Sequence, residues 1–201
     1  MQTGATPLLI AAEGGQLDVV RLLLERGAMV DKATNSGATP LFIASQNGHP
    51  EVVRLLLERG AATDKAKDSG ATPLYIASHF GHLEVVRLLL DKGAAAEKAT
   101  HTGVTPLLIA AEGGRLDVVR LLLERGAMVD KATNSGATPL YIASHSGHLE
   151  VVRLLLDKGA AAEKATHDGD TPLGIAKKKG HDDIVQLFNN VRNSLTGQNC
   201  A

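Results

Sequence analysis

The tripeptide Thr-Pro-Leu begins at Thr6, Thr39, Thr72, Thr105, Thr138 and Thr171, always 33 residues apart. A fixed period of that length governs the whole fold, because each copy is one supersecondary unit rather than a domain. Within a copy the pattern predicts a helical hairpin. Thr6 is placed to cap a first helix, and Pro7 suits the first helical position, where a missing N–H costs nothing. The apolar run LLIAAE follows and stops at Gly14 and Gly15. A second helix, LDVVRLLLER, opens with Asp18 at its positive end and stops at Gly27. The remaining stretch, AMVDKATNSGA, is rich in turn formers and should run out and back as a loop or β-hairpin.

Such units must stack. The first helix is about two turns long, well below the roughly 12–15 residues that an isolated helix needs in water. The second carries Val19, Val20, Leu22, Leu23 and Leu24 around much of its circumference and needs cover on more than one side. Neighbouring copies supply that cover, which gives a solenoid. Aromatic residues at 2% and no Trp also speak against one globular core built on large side chains. The expected fold class is therefore mainly α, a solenoid of stacked helix-turn-helix repeats with short projecting β-hairpin loops. One repeat domain should span 1–194, with repeats at about 1–33, 34–66, 67–99, 100–132, 133–165 and a polar capping repeat at 166–194. A frayed tail over 195–201 should follow.

Thr-Pro-Leu-x-x-Ala, then Gly-His, then Val-Val-Arg-Leu-Leu-Leu and Gly-Ala, repeated on this period, closely resembles the ankyrin repeat. The resemblance covers essentially the whole chain. It implies an L-shaped repeat of two antiparallel helices and a projecting hairpin, with a concave face of hairpin tips and first helices that usually binds other proteins. The chain departs from the family in informative places. Leu9, Phe42, Tyr75, Leu108, Tyr141 and Gly174 stand where the family commonly has a His bonded to the Thr hydroxyl. The frequent Asn near the hairpin becomes Asp31, Asp64, Glu97, Asp130 and Glu163, so modification directed at that Asn is not expected. Gly-His persists at His49, His82, His148 and His181, whereas Gln16 and Arg115 take its place in the first and fourth copies.

The two ends differ. Lys177, Lys178, Lys179, Asp182, Asp183, Gln186, Asn189 and Asn190 make the sixth copy polar, as a cap facing water must be. The first copy has no such adjustment. Thr3 to Leu41 matches Thr102 to Leu140 at 37 of 39 positions, with only Ala5/Val104 and Gln16/Arg115 different. The first copy thus offers water a surface designed for a neighbour. Either the chain belongs to a longer array, or another molecule covers that end.

If the family geometry holds, the variable positions line the concave face in three rows. Asn35, Asp68, His101 and Asn134 stand at the hairpin tips. Gln46, Asn47, His79, Phe80, Glu112, His145 and Ser146 stand at the ends of the first helices, together with Glu13. Phe42, Tyr75 and Tyr141 form the third row. Aromatic side chains in a groove make good anchors; the competing reading is that Phe42, Tyr75 and Tyr141 pack between repeats. Phe80 stands apart, since Asn47, Gly113 and Ser146 are its counterparts.

Other chemistries find little support. The formal charge of −1, from 21 basic and 22 acidic residues, speaks against nucleic acid or an anionic membrane as partner. The lysine row Lys32, Lys65, Lys98, Lys131 and Lys164 is cancelled by the acid preceding each member. The arginines and acids four apart on the second helices, such as Arg21 and Glu25, read as surface pairs. His79, His101, His145 and His167 come without an obvious third ligand, so no metal is expected. No cofactor loop, no His-Glu-x-x-His and no catalytic pairing appears, and an enzyme or a small-molecule substrate is not expected. Cys200 is the lone cysteine, MQTGATPLLI lacks the features of a signal peptide, and no apolar run approaches 18 residues. The setting expected is cytoplasmic or another reducing intracellular compartment. Two functions follow from the sequence: a module that binds a partner protein on the concave face, or a self-associating scaffold joined through the first repeat.

Overall fold

A computed structural model describes the backbone of residues 4–197, with side chains through Asn193. Among the described residues it consists of six helical hairpins: α1 (Pro7–Glu13) with α2 (Leu17–Glu25), α3 (Pro40–Asn47) with α4 (Pro50–Glu58), and α5 (Pro73–Phe80) with α6 (Leu83–Asp91). These continue as α7 (Pro106–Glu112) with α8 (Leu116–Glu124), α9 (Pro139–Ser146) with α10 (Leu149–Asp157), and α11 (Pro172–Lys179) with α12 (Asp182–Gly197). Each odd-numbered helix packs on the next odd-numbered one, and the even-numbered helices form a second row behind them. The expected stack is the observed one.

The local signals act as their chemistry requires. In every hairpin the Thr hydroxyl accepts the N–H of the residue three further on, from Leu9 N–H at 3.2 Å in the first unit to Gly174 N–H at 3.1 Å in the last. Each cap is worth about 1 kcal/mol. Apolar side chains from both rows fuse into one continuous core, with Leu41, Leu56, Leu74, Leu89, Leu122, Leu140 and Leu155 fully buried. Gly48 shows why glycine ends the first helix. Its φ is +71°, and a Cβ there would lie 2.5 Å from Nδ1 of His82 in the next unit.

The projecting segments are tight turns, and among the described residues they contain no strand. The Thr34 N–H donates to Ala38 O at 2.9 Å and the Gly37 N–H to Thr34 O at 3.0 Å, which leaves too few residues on either side for a ladder. Adjacent tips are joined by single backbone bonds, such as Asp68 N–H to Ser36 O at 3.2 Å.

Polar staples between units explain much of the repeat. Nε2 of His49, His82, His148 and His181 bonds a main-chain carbonyl of the preceding unit at 2.8–3.1 Å. Arg115 takes over that part, its Nε donating to His79 O at 3.1 Å. The acids of the Asp/Glu-Lys row are staples too. Asp64 accepts the N–H of Ala95 at 3.1 and 3.3 Å, Glu97 that of Met128 at 2.8 Å, and Asp31 and Asp130 do the same in their units. Lys65, Lys98 and Lys164 reach back to the carbonyls of Asp31, Asp64 and Asp130.

The pairs expected four residues apart on the second helices do not close among the described residues. Of those arginines, Arg54 reaches Glu84 of the next unit at 3.6 Å and Arg153 pairs with Glu150 three residues before it, while Arg59 and Arg125, just beyond their helices, link to Glu25 at 3.8 Å and Asp91 at 2.7 Å of the preceding units.

The ends keep the expected contrast, with one correction. The chain expected to fray from Leu195 continues as α12 through Gly197; residues 198–201, with Cys200, lie outside the described residues. Phe188 and Ile184 seal the last unit while its lysines, aspartates and asparagines face water. At the other end Ile10, Val19 and Leu22 are 58, 43 and 50% exposed, whereas their counterparts Ile109, Val118 and Leu121 are 6, 2 and 4% exposed. The local sequence is the same, so the difference comes from the missing neighbour.

Candidate functional site

The row at the start of the first helices is resolved residue by residue. Phe42 is 2% exposed, packed with Ala38 and Ala71 beneath Ile43, Tyr75 and Ile76. It fills the junction between the second and third units and is no surface anchor, which corrects that expectation. Lys67 replaces the Thr found at this place in the other tips and sets its ammonium 5.3 Å from the Phe42 ring. Tyr75 and Tyr141 are half-buried. Burial raises the pKa of Tyr75, and the nearby Glu112 carboxylate raises it further. Tyr141 is raised chiefly by burial and then by Asp170, which Lys178 holds at 2.5 Å.

The ends of the first helices form an accessible row. His79, Phe80, Glu112 and His145 are exposed, and Gln46 and Ser146 are partly so. Their main chain is fixed: Gln46 O, His79 O, Glu112 O and His145 O each accept the staple from the next unit. Side chains of varied chemistry are thus displayed from a rigid backbone. Asn47 is exposed, but its Nδ2 donates to Glu13 O at 2.9 Å and it belongs to the staples.

Phe80 is the large apolar outlier of this row, 44% exposed. Its ring meets His79 edge-on at 4.8 Å and stacks on His82 at 6.1 Å. It borders a depression of about 330 Å³ floored by Gly114, Leu116 and Val118 and walled by Arg115 and Asp117. Two departures from the repeat, Phe80 and Arg115, therefore meet at one junction although they lie in different units. The sequence offered the signal, since Arg115 stands where four other units have His, but spacing alone did not show that it faces Phe80.

At the tips, Asn35, Asp68, His101 and Asn134 are all exposed. Asn134 Nδ2 donates to His101 O at 3.0 Å, which makes this Asn a link between tips. Asp68 and His101, on adjacent tips, are exposed to solvent. Among the described residues no group of three or more His, Cys, Asp or Glu is arranged to hold a metal ion, and no helix is long and apolar enough to cross a membrane.

The family model described as ankyrin repeats (3 copies) matches the chain three times, over residues 1–67, 60–133 and 127–196. No curated protein matches it.

Proposed function

The chain belongs to the ankyrin repeat family, whose repeats generally mediate protein–protein interaction, and on that premise we propose that it binds a partner protein along the concave face of first helices and turn tips. One observation carries this reading. Positions that staple units together recur in register, whereas the exposed side chains at the helix ends and tips change from unit to unit. Tyr75, Phe80 and Tyr141 are the anchors, with Phe42 withdrawn to the support beneath Tyr75. Gln46, His79, His101, Glu112, His145 and Asp68 surround those anchors with adaptable polar groups, and Ser146, Asn35, Asn47 and Asn134 hold the edges. The family is typically a non-enzymatic interaction module, and binding without catalysis is the reading that fits this chain. A reducing intracellular setting accords with its single cysteine.

The test compares the wild-type chain with Tyr75→Ala/Phe80→Ala/Tyr141→Ala against a partner isolated on the wild-type chain, by calorimetry. Loss of hot-spot anchors should weaken binding at least about thirtyfold, the equivalent of ~2 kcal/mol. An affinity within twofold of wild type, with helix content unchanged, refutes the anchor assignment.

A further inference from the structure

The first unit presents a second surface, remote in purpose from the concave face. Ile10, Val19 and Leu22 are exposed on its leading side, and the same unit carries a hollow of about 260 Å³ lined mostly by apolar groups, among them Leu8, Leu23 and Ala28. Isolated exposed apolar residues are ordinary, but a contiguous patch marks an interaction site. The fourth unit shows what this side is shaped to meet. Its matching residues Ile109, Val118 and Leu121 are covered by the trailing side of the third unit, through α5 on α7 and α6 on α8. The polar groups have matching needs. The Met128 N–H donates to Glu97 Oε1 at 2.8 Å, and Arg125 pairs with Asp91 at 2.7 Å. Their counterparts in the first unit, the Met29 N–H and the Arg26 guanidinium, have no such acceptor among the described residues.

We propose that this leading face docks a partner presenting the trailing side of an ankyrin-type repeat, with a carboxylate where the third unit has Glu97. The interface is continuous in kind with the junctions inside the chain: an apolar centre throughout, a loop carboxylate on a main-chain N–H at four of the five, and an acid for Arg59 and Arg125. A second copy of this chain does not offer that chemistry. At its far end α12 stays helical through Gly197, across the positions where the third unit leaves its helix after Asp91 and turns out to deliver Glu97. Asn190 stands at the Asp91 position, and the exposed surface there is polar. Two copies meeting by their leading faces bring the same donors twice and no loop carboxylate.

The probe is this chain with residues 166–201 replaced by a copy of 67–99, which leaves a third-unit trailing side uncovered, and with Leu22→Glu to prevent stacking on itself. Mixed with the wild-type chain and followed by sedimentation, it should form a 1:1 complex of twice the 21.0 kDa chain mass. The Met29 amide should exchange at least tenfold more slowly in the complex. Leu22→Glu or Ile10→Glu in the wild-type partner should weaken binding at least tenfold, and alanine at the Glu97 position of the probe at least fivefold. Leu22 and Ile10 are exposed enough that helix content should not change. Separate chains at every concentration overturn the proposal, as does a complex indifferent to Leu22→Glu. A wild-type dimer that Leu22→Glu disperses overturns it in favour of a second copy. Should the probe lack helix, a copy of 67–101 fused ahead of Thr3 asks the same question. Met29 amide exchange that stays fast in that fusion overturns the proposal. Either result is independent of Tyr75, Phe80 and Tyr141, so the concave-face reading stands or falls separately.

Discussion

Leu22→Ala and Leu121→Ala remove the same side chain from the same local sequence, so their comparison isolates the contribution of a neighbour. Leu121 is 4% exposed and Leu22 50%. Truncating a covered Leu costs about 2–5 kcal/mol, the transfer term plus the cavity left behind. At Leu22 roughly half the side chain already meets water, and the space vacated opens to solvent instead of sealing. Only part of the transfer term, about 1 kcal/mol, is then lost. The expected gap is about 2 kcal/mol, which for a chain of this size corresponds to a difference of about 4–8 °C in Tm. Circular dichroism melts of the two variants at low concentration would measure it, with urea titrations as a second estimate. Because repeat arrays lose their ends before their middles, amide exchange in α2 and α8 should accompany the melts. Equal costs, within about 0.5 kcal/mol, would refute the argument that the missing neighbour alone separates these two leucines.

Phe42→Ala should cost about 3–5 kcal/mol because it empties the second junction, whereas Phe80→Ala should stay within about 1 kcal/mol; chemical denaturation of both decides whether the two aromatics have different roles. Asp64→Ala should cost about 1 kcal/mol by removing the acceptor of the Ala95 N–H, and that amide should lose protection in hydrogen exchange while amides in α10 do not. Tyr75 and Tyr141 should both ionise above the usual value of about 10. The folded chain holds these phenolic protons more tightly than the unfolded chain does. Stability is therefore full below pH ~10 and declines as pH rises through the folded values. Absorbance at 295 nm follows the titration, Tyr75→Phe should soften the alkaline decline, and a Tyr75 that ionises at or below 10 contradicts the burial described here.

Much of this protein was legible in order along the chain. The 33-residue period, the Thr caps, Pro at the first helical position and glycine at the stops depend on interactions within about four residues, and each acts as its local chemistry predicts. The polar last unit was likewise visible as a run of hydrophilic substitutions. The staples were not. Asp64 followed by Lys65 reads as a neutralised surface pair, yet the carboxylate serves Ala95 N–H in the following unit while the ammonium serves a carbonyl in the preceding one. Partners 31 and 34 residues away leave no trace in local spacing.

The sequence by itself determined the unit, its helices, its caps and the necessity of stacking, because short helices with apolar circumferences have no other way to leave water. The tertiary structure alone decided what each repeated position does. Phe42, Tyr75 and Tyr141 occupy one register position, and only the neighbour laid over it buries the first and leaves the others half open. Val19 and Val118 sit in the same sequence, and only the presence of a preceding unit separates an exposed valine from a buried one. Burial is a property of the space around a side chain, and in a solenoid that space is supplied by the next unit rather than by the residues on either side.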